Sequence, residues 1–300
     1  MVLFMGNLSV SVIITTKNRK DFVVRAIKSV FNQTLLPKEV ILVDDGSDSA
    51  HVLSDSDIYN MKKSYGLDIS IIYLKNLVSK GGNYSRNLGV TNSTGDIIMF
   101  LDDDDAWSNE KVATQAGILQ QDVENKIGLV YTGKKFVNSI DLDKVTRKSI
   151  EGKMSNIWSG NFPGSTSGVA LRRKIFDLVG GFDEKLNTLQ DYDLWIRVIN
   201  ESRAVWDKKF NLIYTIHNST NTQVSTNALK HIKSILRIQE KYKNEVNNLD
   251  ILVRRKFLSR LNHTIARAYR RNNDPRFFKY YLKSLFLYPT LRTLVLVIYY

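Results

Sequence analysis

The first hundred residues alternate short apolar runs with amphipathic stretches. The runs LSVSVIITT (8–16), KEVILVDDG (38–46), DISIIYL (68–74) and GDIIMFLDD (95–103) have the length and β-branched content of buried strands. Between them, residues 21–31 set Val24, Ile27 and Phe31 on one helical face, and a short helix is predicted over 84–90, after Gly81-Gly82. Strands and helices at this spacing predict a mostly parallel α/β sheet flanked by helices. Polar clusters, TTKN, DDGS and DDDD, follow three of the runs. Ligands of open parallel sheets collect at the carboxyl ends of strands, so these clusters are expected around one crevice.

Past residue 105 the pattern loosens. It reads as a helix (109–121), a strand (127–132), the Gly/Ser-rich loop NFPGSTSG (161–168), a strand with a basic end, VALRRK, and the segment GGFDEKLNTLQDYDLWIRV. From residue 228 it becomes helical. Leu258, Leu261, Ile265 and Ala268 recur at helical intervals within 251–271, and a further apolar and basic helix follows Asp274-Pro275 as far as Tyr288. The expected organisation is an α/β domain over 1–227 and a basic, amphipathic helical region over 228–300.

Composition narrows the function. With 43% hydrophobic and 24% charged residues and only 4 Pro, the chain is globular rather than disordered or collagenous. The absence of Cys excludes a disulfide framework, a thiolate zinc site and a cysteine nucleophile, and fits a reducing compartment, so the seven Asn-x-Ser/Thr sequons read as chance. No apolar run is long enough to span a bilayer. Residues 1–16 are uncharged, but no basic residue precedes them and no small-residue cleavage site follows, so they read as a strand and not as a signal segment. The net charge of +13 is uneven: residues 228–300 hold 16 Lys and Arg against 4 Asp and Glu. Such a tail suits an anionic surface, or else is a solvated helical face.

Three acidic clusters carry candidate chemistry. Asp102-Asp103-Asp104-Asp105 follows a buried strand directly, and four neighbouring carboxylates repel one another unless a cation is shared; Mg²⁺ or Mn²⁺ takes such oxygen ligands together with substrate phosphates. A solvated acidic turn is the plainer reading. Asp44-Asp45-Gly46-Ser47 is turn chemistry that also offers acceptors to a base or ribose. In Gln190-Asp191-Tyr192-Asp193-Leu194-Trp195, Asp191 and Trp195 share a helical face, which suits a general base above an aromatic, or a helix cap.

The ordered set VSVIITTKNR, EVILVDDGSD, GGNYSRNLG, GDIIMFLDDDDAW, GGFDEKL and QDYDLW resembles family 2 of the glycosyltransferases, inverting enzymes of the GT-A fold, over about residues 8–200. The resemblance implies a Rossmann-like GT-A sheet, a nucleotide-sugar donor with UDP-sugar expected, and Mn²⁺ or Mg²⁺ as cofactor. It places Thr15, Lys17 and Asn18 in the nucleotide loop, although Lys17 stands where Tyr or His is common, and Asp44 and Asp45 at the donor base. Asp102 and Asp104 match the DxD acids, Asp104 being the direct metal ligand and Asp103 lying near the ribose. Asp191 matches the catalytic base, with Gln190 in place of the usual Glu. His217 is a candidate third metal ligand or diphosphate contact, against a structural role. Trp158, Trp195 and the 161–168 loop are candidates for sugar and acceptor contacts, Trp158 equally for the core.

Other classes fit less well. TTKNRK has no glycine for a dinucleotide fold, GxxxxGK[ST] is absent, and Ala106 interrupts the phosphohydrolase pattern. A non-catalytic membrane-surface adaptor accounts for the tail but not for the ordered acids, and the aromatics form no platform for nucleic acid. The expected setting is surface polysaccharide assembly, O-antigen or capsule, with a glycan or polyprenyl-diphosphate-linked sugar as acceptor. The protein is expected in the cytoplasm, peripheral at the cytoplasmic face of the inner membrane, against an anionic membrane surface.

Overall fold

Strands β1 (Val10–Thr16), β2 (Glu39–Asp44), β3 (Ser70–Lys75) and β4 (Ile97–Asp102) form within the four apolar runs. The computed structural model describes residues 8–66, 69–149, 156–217 and 228–297; the stretch ahead of Leu8 and the sequon at Asn218 lie outside them. With β6 (Ile127–Tyr131), β9 (Val169–Arg172) and β10 (Arg203–Trp206), these strands build a seven-stranded sheet in the order β10-β6-β9-β4-β1-β2-β3. Only β9 runs against its neighbours. The mixed α/β fold expected from the sequence is the one observed.

Register explains why the polar clusters meet. Thr15 lies opposite Asp102, and Thr16 opposite Asp44, so the ends of β1, β2 and β4 are level. On one face of the sheet, Val12, Ile14, Val40 and Leu42 pack with Val23, Ile27 and Val30 of helix α1 (Lys20–Phe31). These side chains are almost wholly withdrawn from water, each contributing about 1.5–3 kcal/mol. On the other face helix α3 (Gly82–Thr91) lies close to β1. Gly89 permits this, because a Cβ there would stand 2.5 Å from Ile13 Cγ2.

Helix α2 (Asp55–Tyr65) has no counterpart in the hydrophobic pattern. None of its side chains is buried; it starts from a capping box in which the Ser54 hydroxyl accepts from the Asp57 amide at 3.1 Å and the Asp57 carboxylate accepts from the Ser54 amide at 2.8 Å. A second sheet in the order β5-β11-β7-β8 joins β5 (Ala106–Trp107), β7 (Lys134–Asn138), β8 (Asp141–Lys148) and β11 (Leu212–Ile216). Helix α4 (Lys111–Gln121) and helix α5 (Arg173–Leu178) complete the elements up to residue 178.

Two compact units are present: Met1–Glu151 with Pro163–Glu184 and Arg197–Ile216, and Gly152–Phe162 with Lys185–Ile196 and His217–Tyr300. The second holds the start of α6 (Gln190–Glu201), then α7 (Ala228–Lys241), α8 (Lys243–Asn247), α9 (Ile251–Arg271), α10 (Phe277–Leu287) and α11 (Leu291–Leu294). Asp250 caps α9, accepting from the Leu252 and Val253 amides at 2.8 and 3.3 Å. Phe257, Leu261, Ile265 and Ala268 form its buried stripe, Phe257 taking the place that the sequence gives to Leu258.

The charge step at 227/228 marks only part of this unit, because two earlier segments belong to it by packing. Trp158 stacks edge-on against Tyr242 and Phe257, with ring centroids 5.5 and 5.3 Å away. Among the described residues no helix is long and apolar enough to cross a membrane.

Candidate active site

In the larger unit, Asp102 ends β4 and the next three residues turn sharply into β5, the turn closing with the Asp105 amide on the Asp102 carbonyl at 3.1 Å. Four acids are therefore crowded at one sheet end, and the structure supplies cations that the sequence reading did not assign. Arg19 donates to Asp103 at 3.2 Å and to Asp104 at 2.8 Å. Arg86, on α3, donates to Asp102 at 2.5 Å. Arg25 adds bonds to the Asp104 carbonyl and to Thr215, both at 3.1 Å. The one available signal was position: Arg86 sits inside GGNYSRNLG and Arg19 directly after TTKN.

The four acids differ in environment. Burial, and then the neighbouring Asp104 charge, pushes the Asp103 carboxyl up to about 6, against the pull of Arg19 and of the Thr16 hydroxyl at 2.9 Å. Asp105 is buried, and burial followed by the Asp104 and Asp102 charges raises it well above the ordinary carboxylate range. Its Oδ1 accepts from the Thr215 amide at 3.1 Å, while its Oδ2 has no hydrogen-bond partner. Asp102 and Asp104 keep side-chain exposures of 29% and 21%, so these two remain open to a ligand.

All donors here are hard carboxylate oxygens, the set that Mg²⁺ and Mn²⁺ prefer. Among the described residues no three acids or histidines are grouped as a complete cage. The orphaned oxygen on Asp105 is what a cluster short of positive charge leaves behind, and an ion of this kind needs only one or two carboxylates where substrate phosphates and water complete its shell. His217 stands directly after β11 and is half-buried.

The other clusters join at the same sheet end. The Asn18 side chain accepts from the Asp48 amide at 2.7 Å, and its amide nitrogen donates to Asp48 at 3.1 Å, tying TTKN to DDGSD. Asn18 itself holds φ 54°, a left-handed conformation that Asn tolerates. Lys17 is exposed and Thr15 half-buried. Asp44 accepts from the Ser47 amide at 2.7 Å and from Tyr73 at 3.3 Å.

Asp45 is bonded to the loop that follows β3. Its oxygens accept from Asn76 at 2.9 Å, Ser79 at 2.6 Å, Lys80 at 2.8 Å and Gly81 at 2.9 Å. Burial raises its pKa, but these four bonds outweigh that and hold it below the usual range. Through these bonds Asp45 braces the 76–81 loop.

In the second unit, Asp191 lies in the first turn of α6 and is half-buried. Its Oδ1 accepts from the Tyr192 amide at 2.7 Å and its Oδ2 from the Asn161 side chain at 3.1 Å. The residue before α6, Leu189, holds φ 59°, which costs a bulky side chain about 1–2 kcal/mol and sets how the helix begins. Gln190 Oε1 is buried with no hydrogen-bond partner.

Asp193 faces away from Asp191 on the helix and is fully buried, accepting from Lys241 at 2.6 Å and from Tyr242 at 2.8 Å. Asp193→Asn weakens the contact with Lys241, whose side chain keeps 29% exposure. It is expected to destabilise the protein by about 1–3 kcal/mol, the usual cost of disturbing a buried hydrogen-bonded carboxylate, which thermal unfolding would register as a fall in Tm.

Both tryptophan candidates turn out to be core. Trp195 is 0% exposed and Trp158 only 7%, so neither offers a face to a sugar.

Against known proteins, residues 11–180 match the model of Glycosyl transferase family 2. An uncharacterised glycosyltransferase of Haemophilus influenzae is 30% identical over 250 residues, 80% of each chain. The amylovoran biosynthesis glycosyltransferase AmsB of Erwinia amylovora is 26% identical over 199 residues, 64% of each. Among solved structures, S. aureus TarS 1-349 in complex with UDP superposes with a TM-score of 0.56 at 17% identity, covering 94% of this chain and 89% of its own. Mannosyltransferase PcManGT from Pyrobaculum calidifontis, in complex with GDP-Man and Mn²⁺, gives 0.58 at 15% identity, covering 98% and 79%.

Proposed function

The chain belongs to glycosyl transferase family 2, and from that premise we propose that it is a metal-dependent inverting glycosyltransferase. It moves a sugar from a nucleotide-sugar, a UDP-sugar, to a hydroxyl of a glycan or polyprenyl-diphosphate-linked sugar in surface polysaccharide assembly. The observation that carries this reading is the level end of β1, β2 and β4, where TTKN, DDGSD and the Asp102–Asp105 turn are joined by hydrogen bonds. The AmsB likeness favours the polysaccharide setting, and fold neighbours solved with UDP or with GDP-Man and Mn²⁺ favour the donor class.

Thr15, Lys17, Asn18 and Asp44 receive the nucleoside, with Asp45 acting through the 76–81 loop that it holds. Arg86 fixes Asp102, and Arg19 fixes Asp103 near the ribose. Asp104 and Asp102 would hold Mn²⁺ or Mg²⁺, which when bound would neutralise charge on the leaving diphosphate. His217 is kept as the third candidate ligand. Asp191 takes the proton of the acceptor hydroxyl as that oxygen attacks the anomeric carbon from the side opposite the leaving group, which inverts the centre. The test is nucleoside diphosphate release from UDP- and GDP-sugars, with and without a lipid-diphosphate-linked sugar acceptor. Acceptor-dependent release from one donor supports the reading, and none from any donor overturns it.

The same reading places the protein in the cytoplasm, peripheral at the cytoplasmic face of the inner membrane. Of the aromatics on α10, Phe277 is buried and Tyr281 half-buried. The outward stripe of α10 is Phe278, Leu282 and Phe286, at 58, 49 and 80% exposure, beside the exposed Lys279 and Lys283. Basic residues next to such a stripe favour an anionic leaflet by about 1 kcal/mol each. Pelleting with phosphatidylglycerol vesicles should therefore occur at low salt and weaken as salt rises. Equal indifference to anionic and neutral vesicles would sink the membrane assignment.

A further inference from the structure

Helix α9 presents Lys256, Arg260, His263, Thr264 and Arg267 along one side, at the i, i+4, i+7, i+8 and i+11 spacing that stacks side chains on a helix. That side lines a cavity of about 550 Å³ lying wholly within the second unit, and Arg292 of α11 reaches it as well. Its size is that of a small-molecule site. Among the described residues, four cationic side chains line it and no carboxylate does.

Two of those cations are held by groups that carry no charge. Arg260 donates to the Ser159 carbonyl at 2.8 Å and lies 6.0 Å from the Tyr192 ring; Lys256 sits 5.1 Å from the Tyr288 ring. A carbonyl and two π faces orient a charge but do not cancel it. The repulsion registers on neighbouring groups. Burial, followed by Arg292, Arg267 and Arg260, pushes the His263 imidazole down to about 4, so it is neutral at pH 7, with its Nδ1 3.2 Å from the Thr293 hydroxyl. Burial and then Arg292 also contribute to lowering Arg260, despite a compensating Tyr192 effect. Thr264 adds a hydroxyl to the same wall.

We propose that this cavity is an anion site that receives a phosphate or diphosphate group carried on a larger molecule. Guanidinium forks and an ammonium around one space match phosphate oxygens, through charge-assisted hydrogen bonds that also relieve the repulsion among the cations. The volume exceeds what a lone phosphate needs, leaving room for the group to which it is attached. The assignment rests on the residues of the second unit alone and does not depend on the donor chemistry proposed above.

Calorimetric titration of the full chain with three probes tests it: inorganic pyrophosphate, farnesyl diphosphate, and phosphatidylglycerol vesicles. Each is compared between wild type and the double variant Lys256→Gln/Arg292→Gln. The variant should fold, since Arg292 is exposed and Lys256 only half-buried, and an unchanged circular dichroism spectrum and Tm check this. At least one probe should bind the wild type with a Kd under about 1 mM and bind the variant about tenfold or more weakly, as expected for the loss of charge-assisted bonds.

Dependence on the pocket with a soluble diphosphate identifies a diphosphate ligand, and dependence with vesicles alone identifies a lipid headgroup; either supports the site. As a second readout, a bound anion should raise the NMR-titrated pKa of His263, because it opposes Arg260, Arg267 and Arg292. The proposal is overturned if no probe binds the wild type, or if the variant binds every probe as tightly, since the anion then lies elsewhere.

Discussion

Asp191→Asn is expected to lower sugar transfer by about 10²- to 10⁴-fold, the usual contribution of a general base, while the protein folds and binds donor nucleotide as before. The geometry explains why the fold should survive. The Asn oxygen can still accept from the Tyr192 amide, now at 2.7 Å, and Asn161 can turn its own amide to meet the new Asn amino group, restoring the contact now at 3.1 Å. What is lost is the ability to take a proton.

The neighbouring Asp193→Asn is the matched control, because it disturbs the contacts to Lys241 and Tyr242 and so acts on stability. Transfer rates normalised to folded protein should fall far more for Asp191→Asn than for Asp193→Asn. Should Asp191→Asn retain full transfer, the base lies outside this turn and the family carry-over at this position fails.

The second large effect concerns the acids after β4. Treatment with EDTA should abolish transfer, and Mn²⁺ or Mg²⁺ should restore it in the wild type but not in Asp104→Ala. Asp104 is the sharpest choice because it is partly open, whereas Asp103 and Asp105 are buried. Its removal also takes away one of the carboxylates that hold Arg19, so Asp104→Asn serves as the milder companion: it keeps a hydrogen-bond acceptor for Arg19 but weakens the ligand. Full activity in EDTA refutes the metal assignment outright. Activity lost equally in Arg19→Gln with metal present would show that the guanidinium, rather than the motif acids, limits the reaction.

How much of this was legible in the chain follows from what a local pattern encodes. Four apolar runs, three of them followed by polar clusters, were enough to place β1 to β4, and the ordered motifs were enough to suggest the family, because strand period and motif order are properties of neighbouring residues. Helix α2 escaped that reading, since a capping box rather than an apolar face starts it.

The partners of the acids were beyond the sequence. Arg19 and Asp104 are 85 positions apart, and Asp45 is bonded to a loop up to 36 positions away, distances that only packing closes. The same limit applies to facing. Periodicity put Trp195 on a helical face and Phe277 in an amphipathic helix, but it does not say which side meets another helix and which meets water, and both residues turned inward. The sequence by itself therefore determined β1 to β4, β6, β9, α1, α3 and α4, the identity of the candidate acids and the excess of positive charge in the tail. The tertiary structure alone decided which acids are held by arginines, which stay open, and where four of the tail's cations gather around one cavity, because those outcomes depend on side chains distant in sequence being forced into contact as apolar surface leaves water.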